Sequence, residues 1–350
     1  MSSASSQHLS ISAAQAGLTV AALLRSVLPG QSWSQVRQFV SARHARINGD
    51  LCLDAARRLK EGDTVEILAR PAPKPHGGEA VVIRYLDEHI VVVEKPAGIN
   101  TVRHPAERDW SEKRKAVSPT LQDLVAKIIN RQGSGGRKPP VENRHSFTGG
   151  LRSPLAKRLR VVQRLDKDTS GLVVFARTVA AERGLGKQFH AHTVTRRYLA
   201  VVPGYLPPQR IETQLVRNRG DGRRGSTPLA PPFARGKKGG IGKEAITHIE
   251  VVERLPKHTL LSCRLETGRT HQIRIHLAEL GHPVCGEKVY NKQRDGTIIA
   301  DESRSPRLAL HAAELGFVHP VTGAAVHWEM PLPQDLSDFL ERLRGRSSNP

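Results

Sequence analysis

Residues 69–80 read ARPAPKPHGGEA, a run of prolines and glycines that neither a helix nor a strand interior accepts. The chain must therefore fold as a short module before this break and a longer one after it. Before it, SWSQVRQFVSARHARINGDLCLDAARRLKEGDTVEIL opens with serines able to cap a helix, Ser32 or Ser34. Val36, Phe39 and Val40 follow at helical spacing. Asn48-Gly49 sits between two short β-type runs and signals a hairpin. Thr64–Leu68 reads as a closing strand. The small polar stretch 1–16 reads as a flexible tail, 17–70 as a small α+β domain and 71–80 as its linker.

Beyond the break, AVVIRYLDEHIVVVEKPAGI alternates β-formers about an Asp87-Glu88 turn. Ser118-Pro119 predicts a helix start, with Leu121, Leu124, Val125, Ile128 and Ile129 forming one apolar face. A second helix is expected over Val179–His190. Strands are expected at Tyr198–Val202, Ala245–Val252, Thr259–Glu266 and Ala324–Glu329. Long strands with isolated helices and no regular βαβ alternation predict an α+β domain over 81–340, built on a mixed, largely antiparallel sheet. Residues 341–350 read as a tail.

Charge points to the partner. The 350 residues carry 54 Lys and Arg against 33 Asp and Glu, a net +21, which favours a polyanion, nucleic acid before an acidic membrane surface. Residues 106–160 hold a net +8 and residues 217–243 a net +7, so 82 residues supply most of the excess. Within them, RQGSGGRKPP (131–140) and GDGRRGSTPLAPPFARGKKGG (220–240) lack sustained periodicity, and the two stretches read as basic arms that embrace a phosphate backbone. There is no apolar run long enough to span a membrane and no secretory leader. Three cysteines without a C-x-x-C pair build no disulfide framework. Nothing in the pattern demands a partner subunit, so a cytoplasmic monomer is the simplest expectation.

The chemistry is concentrated in VVQRLDKDTSGLVVFA (161–176), a polar turn-forming octet between two β-type segments. Asp168, before Thr-Ser-Gly, is placed to bond the turn's own amides. Asp166, after Arg164 and Leu165, is the carboxylate free to face a cleft and accept a cationic partner.

R-L-D-K-D-T-S-G followed by an apolar strand resembles the signature of the RluA-type pseudouridine synthases, which isomerise selected uridines in large-subunit ribosomal RNA or transfer RNA. V-V-V-E-K-P-A-G (91–98), R-R-Y-L-A-V-V (196–202), G-K-E-A-I-T-H (242–248), L-E-T-G-R-T-H-Q-I-R-I-H-L-A-E-L-G-H-P-V-C-G (265–286), L-A-L-H-A (308–312) and F-V-H-P-V-T-G (317–323) follow in that family's order. The N-terminal module resembles the ribosomal-protein-S-four-like RNA-binding domain, and together the two resemblances span about residues 17–340. They imply that Asp166 is the essential carboxylate, that Tyr198 stacks on or beside the target base, and that Arg274 pairs with Asp166, with Arg269 the alternative. Arg164 would hold the extruded nucleotide out of the stack and Arg269 would bind phosphate. Arg37, Arg43 and Arg46 would grip structured RNA, ribosomal RNA first and transfer RNA second.

Isomerisation breaks the N1–C1′ bond, turns the uracil and joins C5 to C1′. It involves neither redox chemistry nor hydrolysis, so no cofactor and no metal is expected. His271, His276, His282 and Cys285 resemble metal ligands superficially, but His-x4-His aims its side chains poorly for a strand. Two departures from the family pattern stand out. Gln163 occupies the position before R-L-D where His is usual, and G-E-K-V-Y (286–290) replaces a commoner G-D-x-x-Y. The alternative function is a non-catalytic RNA-binding or ribosome-assembly factor with the same fold. A DNA-binding protein is disfavoured because no recognition helix or dimer signature is present.

Overall fold

The computed structural model describes residues 7–42, 44–48, 50–52, 54–69, 81–107, 109–134, 159–219, 222–227, 242–292 and 297–345. Arg43, the linker after residue 69 and the central parts of both basic stretches, 135–158 and 228–241, lie outside them. The chain divides into two units, one formed by 1–79 with 104–119, the other by 80–103 with 120–350.

In the first unit, β1 (Gln7–Ser10), α1 (Val20–Val27), α2 (Trp33–Ser41), β2 (Ala45–Ile47), β3 (Asp50–Leu51) and β4 (Thr64–Ile67) form two helices and a sheet ordered β1-β4-β2-β3. Thr19 caps α1 by accepting from Ala22 N at 3.1 Å, and Ser32 and Gln35 cap α2 reciprocally. Asn48 takes φ 54 at the hairpin between β2 and β3. Val36, Val40, Ile47 and Val65 are buried in one apolar cluster. Of the expected tail 1–16, the described residues do not form one: Gln7–Ser10 pairs with the open edge of β4 and Ile11 is buried, while 1–6 lie outside them. Residues 104–119, which include α3 (Glu112–Val117), group with this unit, where Arg114 lies 3.8 Å over the Trp110 ring and pairs with Asp54.

The second unit contains β5 (Val82–Leu86), β6 (Ile90–Lys95), α4 (Leu121–Ser134), β7 (Arg160–Val161), β8 (Ser170–Ala176), α5 (Val179–His190), β9 (Thr195–Pro203), β10 (Gln209–Val216), β11 (Gly225–Thr227), β12 (Lys243–Leu255), β13 (His258–Leu265), α6 (Gln272–Glu279), β14 (Leu310–Val318), β15 (Ala325–Glu329) and α7 (Gln334–Gly345). Its sheet runs β11-β10-β12-β13-β9-β14-β8-β6-β5, with β7 on β8 and β15 on β14. The β8–β14 pair is parallel and the other pairs are antiparallel, the mixed α+β architecture that the strand pattern predicts.

Several elements differ from expectation for local reasons. The helix expected from Pro119 starts at Leu121, because Thr120 and Asp123 cap it reciprocally. The segment after His271, weighed as a strand for its His-x4-His spacing, is helix α6, buried along six consecutive residues from Gln272 to Leu277. The basic stretch from 217 is not wholly a loop. Asn218 holds Gly222 N at 2.9 Å, and β11 then returns to pair with β10. Residues 341–345 of the expected C-terminal tail are helical, since α7 runs to Gly345 and buries Leu343, and 346–350 lie outside the described residues.

Two buried imidazoles make the fold pH-sensitive. His276 lies 2.9 Å from both Thr213 Oγ1 and Thr247 Oγ1, and His311 lies 2.9 Å from Ser170 Oγ. Burial pushes each down to about 4. An unfolded imidazole titrates near 6.5, so the unfolded chain binds these protons first and stability falls as pH drops from about 6.5 towards 4. Thermal melts at pH 7.5 and 5.0 should show the lower value at pH 5.0; equal melting temperatures would contradict this linkage.

Candidate active site

The site forms where the turn before β8 meets the parallel β8–β14 pair. Gly171 lies opposite Ala312, and Ala312 lies opposite Tyr198 of β9, so the register sets Tyr198 across β14 from the strand that follows the Asp166 turn. Gly171 has φ 127, and a Cβ there would meet Ala312 O at 2.3 Å, so only glycine permits this approach.

The turn is clamped from behind. Thr101 Oγ1 donates to Leu165 O at 2.7 Å and accepts from Leu165 N at 3.1 Å. Lys95, fully buried, donates from Nζ to Pro96 O, Lys167 O and Thr169 O at 3.0, 2.8 and 2.7 Å. Burial pulls its pKa down to about 7, opposed by Asp168 and Asp166. Gly98 N adds a bond to Lys167 O at 2.8 Å. Sequence reasoning misses both Lys95 and Thr101, although Lys95 sits in the V-V-V-E-K-P-A-G run.

Asp166 projects from this turn, about a quarter exposed. Arg274 Nη1 of α6 approaches its Oδ2 at 3.3 Å, whereas Arg269 Nε donates to Glu244 O at 2.8 Å. Arg274 therefore occupies the partner position and Arg269 does not. Behind Arg274 stands Glu287, which accepts from its Nε at 2.6 Å and its Nη2 at 2.7 Å, a bidentate fork in a buried setting. Glu287 also accepts from Val289 N at 2.8 Å and Tyr290 N at 3.3 Å. Burial opposes both charges, but the pairing outweighs it, holding Arg274 above its usual pKa and Glu287 below the ordinary carboxylate range. Gly286 allows this arrangement with φ 82, since a Cβ there would lie 2.1 Å from Arg307 O.

Tyr198 shares an apolar cluster with Leu165 and Ile273, the neighbours of Asp166 and Arg274. It is 8% exposed. Burial raises its phenol pKa, and Asp166 adds to the effect. Arg164 is exposed at the rim, its Nη2 3.5 Å from Thr270 Oγ1. Gln163 leaves its side-chain nitrogen buried without a hydrogen-bond partner among the described residues. Arg37 is exposed on α2, while Arg46 faces Glu66 at 3.5 Å; both belong to the first unit.

The site is thus an accessible carboxylate against a fixed guanidinium, with a tyrosine in the same wall. The RNA pseudouridylate synthase family model matches residues 89–279. A ribosomal large subunit pseudouridine synthase D of Nitrosomonas europaea is 32% identical over 336 residues, 94% of this chain and 85% of that protein. Its counterpart in Zymomonas mobilis is 35% identical over 300 residues, 84% of each chain. An uncharacterized RNA pseudouridine synthase, YlyB, of Bacillus subtilis is 33% identical, covering 89% of this chain and 90% of that one. Among solved structures, human RNA pseudouridylate synthase domain containing 4 matches with a TM-score of 0.51 at 19% identity, covering 75% of this chain and 92% of that one. The chain belongs to the RluA-type RNA pseudouridine synthase family. It is an enzyme of that class, and RNA is its substrate.

Proposed function

We propose that this enzyme converts one or a few uridines of large-subunit ribosomal RNA to pseudouridine, with Asp166 acting at the ribose. The observation that carries the reading is the Asp166–Arg274–Glu287 array, which presents one accessible carboxylate with its counter-charge already fixed. The carboxylate acts at the sugar as the N1–C1′ bond breaks, either as a nucleophile or by removing a proton. The freed uracil turns and C5 bonds C1′ as the carboxylate leaves C1′, or as the proton it removed returns to the ribose; C5 then loses its proton and N1 carries one, so the product is an isomer. Arg164 at the rim holds the flipped nucleotide out of its stack, Tyr198 borders the base, and Arg269 meets phosphate. The names of the bacterial relatives favour ribosomal over transfer RNA.

The first unit acts as an S-four-like RNA grip through Arg37, Arg43 and Arg46. Its exposed Trp33, with Arg25 4.6 Å over the ring, adds an aromatic surface to that basic face. The enzyme works as a cytoplasmic monomer without metal or cofactor; no helix among the described residues is long and apolar enough to cross a membrane.

Tritium release from transcripts labelled at uridine C5 tests the reaction, since forming the C5–C1′ bond expels that hydrogen. Release from large-subunit transcripts is expected; release from transfer RNA alone would overturn the substrate assignment. The basic stretches make a separate prediction. Neutralising Lys and Arg within 106–160 and 217–243 should flatten the slope of log affinity against log salt by about 0.7–0.9 for each phosphate left unneutralised. An unchanged slope would return both stretches to a linker role.

A further inference from the structure

We infer that His271 is a positioning residue for the isomerisation, presenting an N–H to the Asp166 oxygen that Arg274 leaves free, with Tyr290 fixing its ring. This role rests on the enzymatic reading above.

The geometry is specific. Arg274 faces Asp166 Oδ2, whereas His271 Nε2 lies 3.7 Å from Oδ1. On the other side of the ring, His271 Nδ1 is 2.7 Å from the Tyr290 hydroxyl, and the two rings meet nearly edge to face at 5.5 Å. A neutral imidazole carries one proton. A lone pair aimed at a carboxylate would be repelled, so the proton sits on Nε2 and the Tyr290 hydroxyl donates to Nδ1. Tyr290 is 4% exposed, and burial pushes its phenol up to about 12, so it remains a donor.

The backbone supports the assignment. His271 is the residue before α6, where Ser, Thr, Asp or Asn usually caps the first turn. It makes no side-chain cap bond and instead adopts φ 60, left-handed and uncommon for a residue with a Cβ. The side chain, not used as a cap, points instead at Asp166 and Tyr290. The charged groups acting on it are Asp166, Arg274, Glu287 and Arg224, the last from the loop before β11. Burial, the largest influence, lowers its pKa, so it serves as a neutral donor rather than a counter-ion. Substrate binding would draw the 3.7 Å approach into a hydrogen bond, as catalytic hydrogen bonds often tighten only in the loaded site.

The test compares H271A, H271Q, Y290F and H271A/Y290F with wild type by C5 tritium release, RNA affinity and thermal melting. H271A should lower kcat about 10–100-fold, the scale of a misplaced reacting group, with KM within about threefold. H271Q, whose amide can place an N–H near the Nε2 position, should recover most of that rate. Y290F should fall between, and should add nothing to H271A. Unchanged kcat in H271A, a glutamine variant as poor as alanine, or a kcat decrease that follows the melting temperature would overturn the role. If wild type itself releases no tritium from any RNA, the enzymatic reading fails and takes this role with it.

Discussion

Replacing Glu287 with Gln should cost about 3–5 kcal/mol of stability, the range for removing one partner of a buried ion pair. Two Arg274 nitrogens, 2.6 and 2.7 Å from the carboxylate, would lose their counter-charge, and one would face an amide NH2 instead. The amides of Val289 and Tyr290 draw on the same carboxylate, so the turn that carries Tyr290 would loosen as well. For a unit of this size the melting temperature should fall by roughly 6–20 °C. Activity should fall with it, because Arg274 would no longer be held against Asp166. The pH dependence has a definite sign. The Glu287 pKa is lowered in the fold, so its contribution is present above about 4.3, the unfolded value, and is lost as pH falls below it. A melting temperature within about 2 °C of wild type at pH 7, the scale of less than about 1 kcal/mol, would show that the fork does not hold the site.

Replacing Asp166 with Ala should do the reverse, removing turnover while sparing the fold. A reacting carboxylate contributes more than about 10³-fold, so residual activity should lie near background. Arg274 keeps both bonds to Glu287, and the part-exposed Asp166 pairing at 3.3 Å is the weaker one, so stability should change by less than about 1 kcal/mol. RNA affinity should stay within about tenfold, equivalent to about 1.4 kcal/mol. Stability assays and single-turnover rates on the two variants therefore separate the reacting carboxylate from the one that supports it. Measurable turnover in D166A would refute the assignment.

These paired roles also show which residues are legible in the sequence. Asp166 stands out because its whole setting is local, a polar turn between two β-forming runs. The helix Val179–His190 and the hairpin at Asn48 are equally local, written in a cap, an apolar face and a left-handed turn residue. Glu287 is visible only as a departure, Glu in place of a commoner Asp, and its role is not, because that role lies in Arg274, thirteen residues away and across a helix and a turn. Lys95 is hidden for the same reason, since its three carbonyl partners include Lys167 and Thr169, more than seventy residues on.

Periodicity fails where burial is complete. Helix α6 is buried all round over Gln272–Leu277, and its polar Gln272, Arg274 and His276 alternate with Ile273, Ile275 and Leu277, so it shows a period of two instead of an amphipathic stripe, and weighing His271 and His276 as strand residues conceals the line from Tyr290 to Asp166. Strand β14 is buried on both faces over most of its length and likewise lacks alternation. At the N-terminus, Gln7–Ser10 looks like a solvated tail until the free edge of β4 is known. Composition cannot reveal a pairing that depends on a partner almost sixty residues away.

The most direct test of the central claim is pseudouridine mapping by carbodiimide labelling and primer extension. Purified wild-type and D166A protein would be incubated with unmodified large-subunit ribosomal and transfer RNA transcripts. Stops at one or a few uridines of the large-subunit RNA, seen with wild type and absent with D166A, are the predicted result. Stops that persist with D166A, or no stop on any transcript despite tight binding, would contradict it.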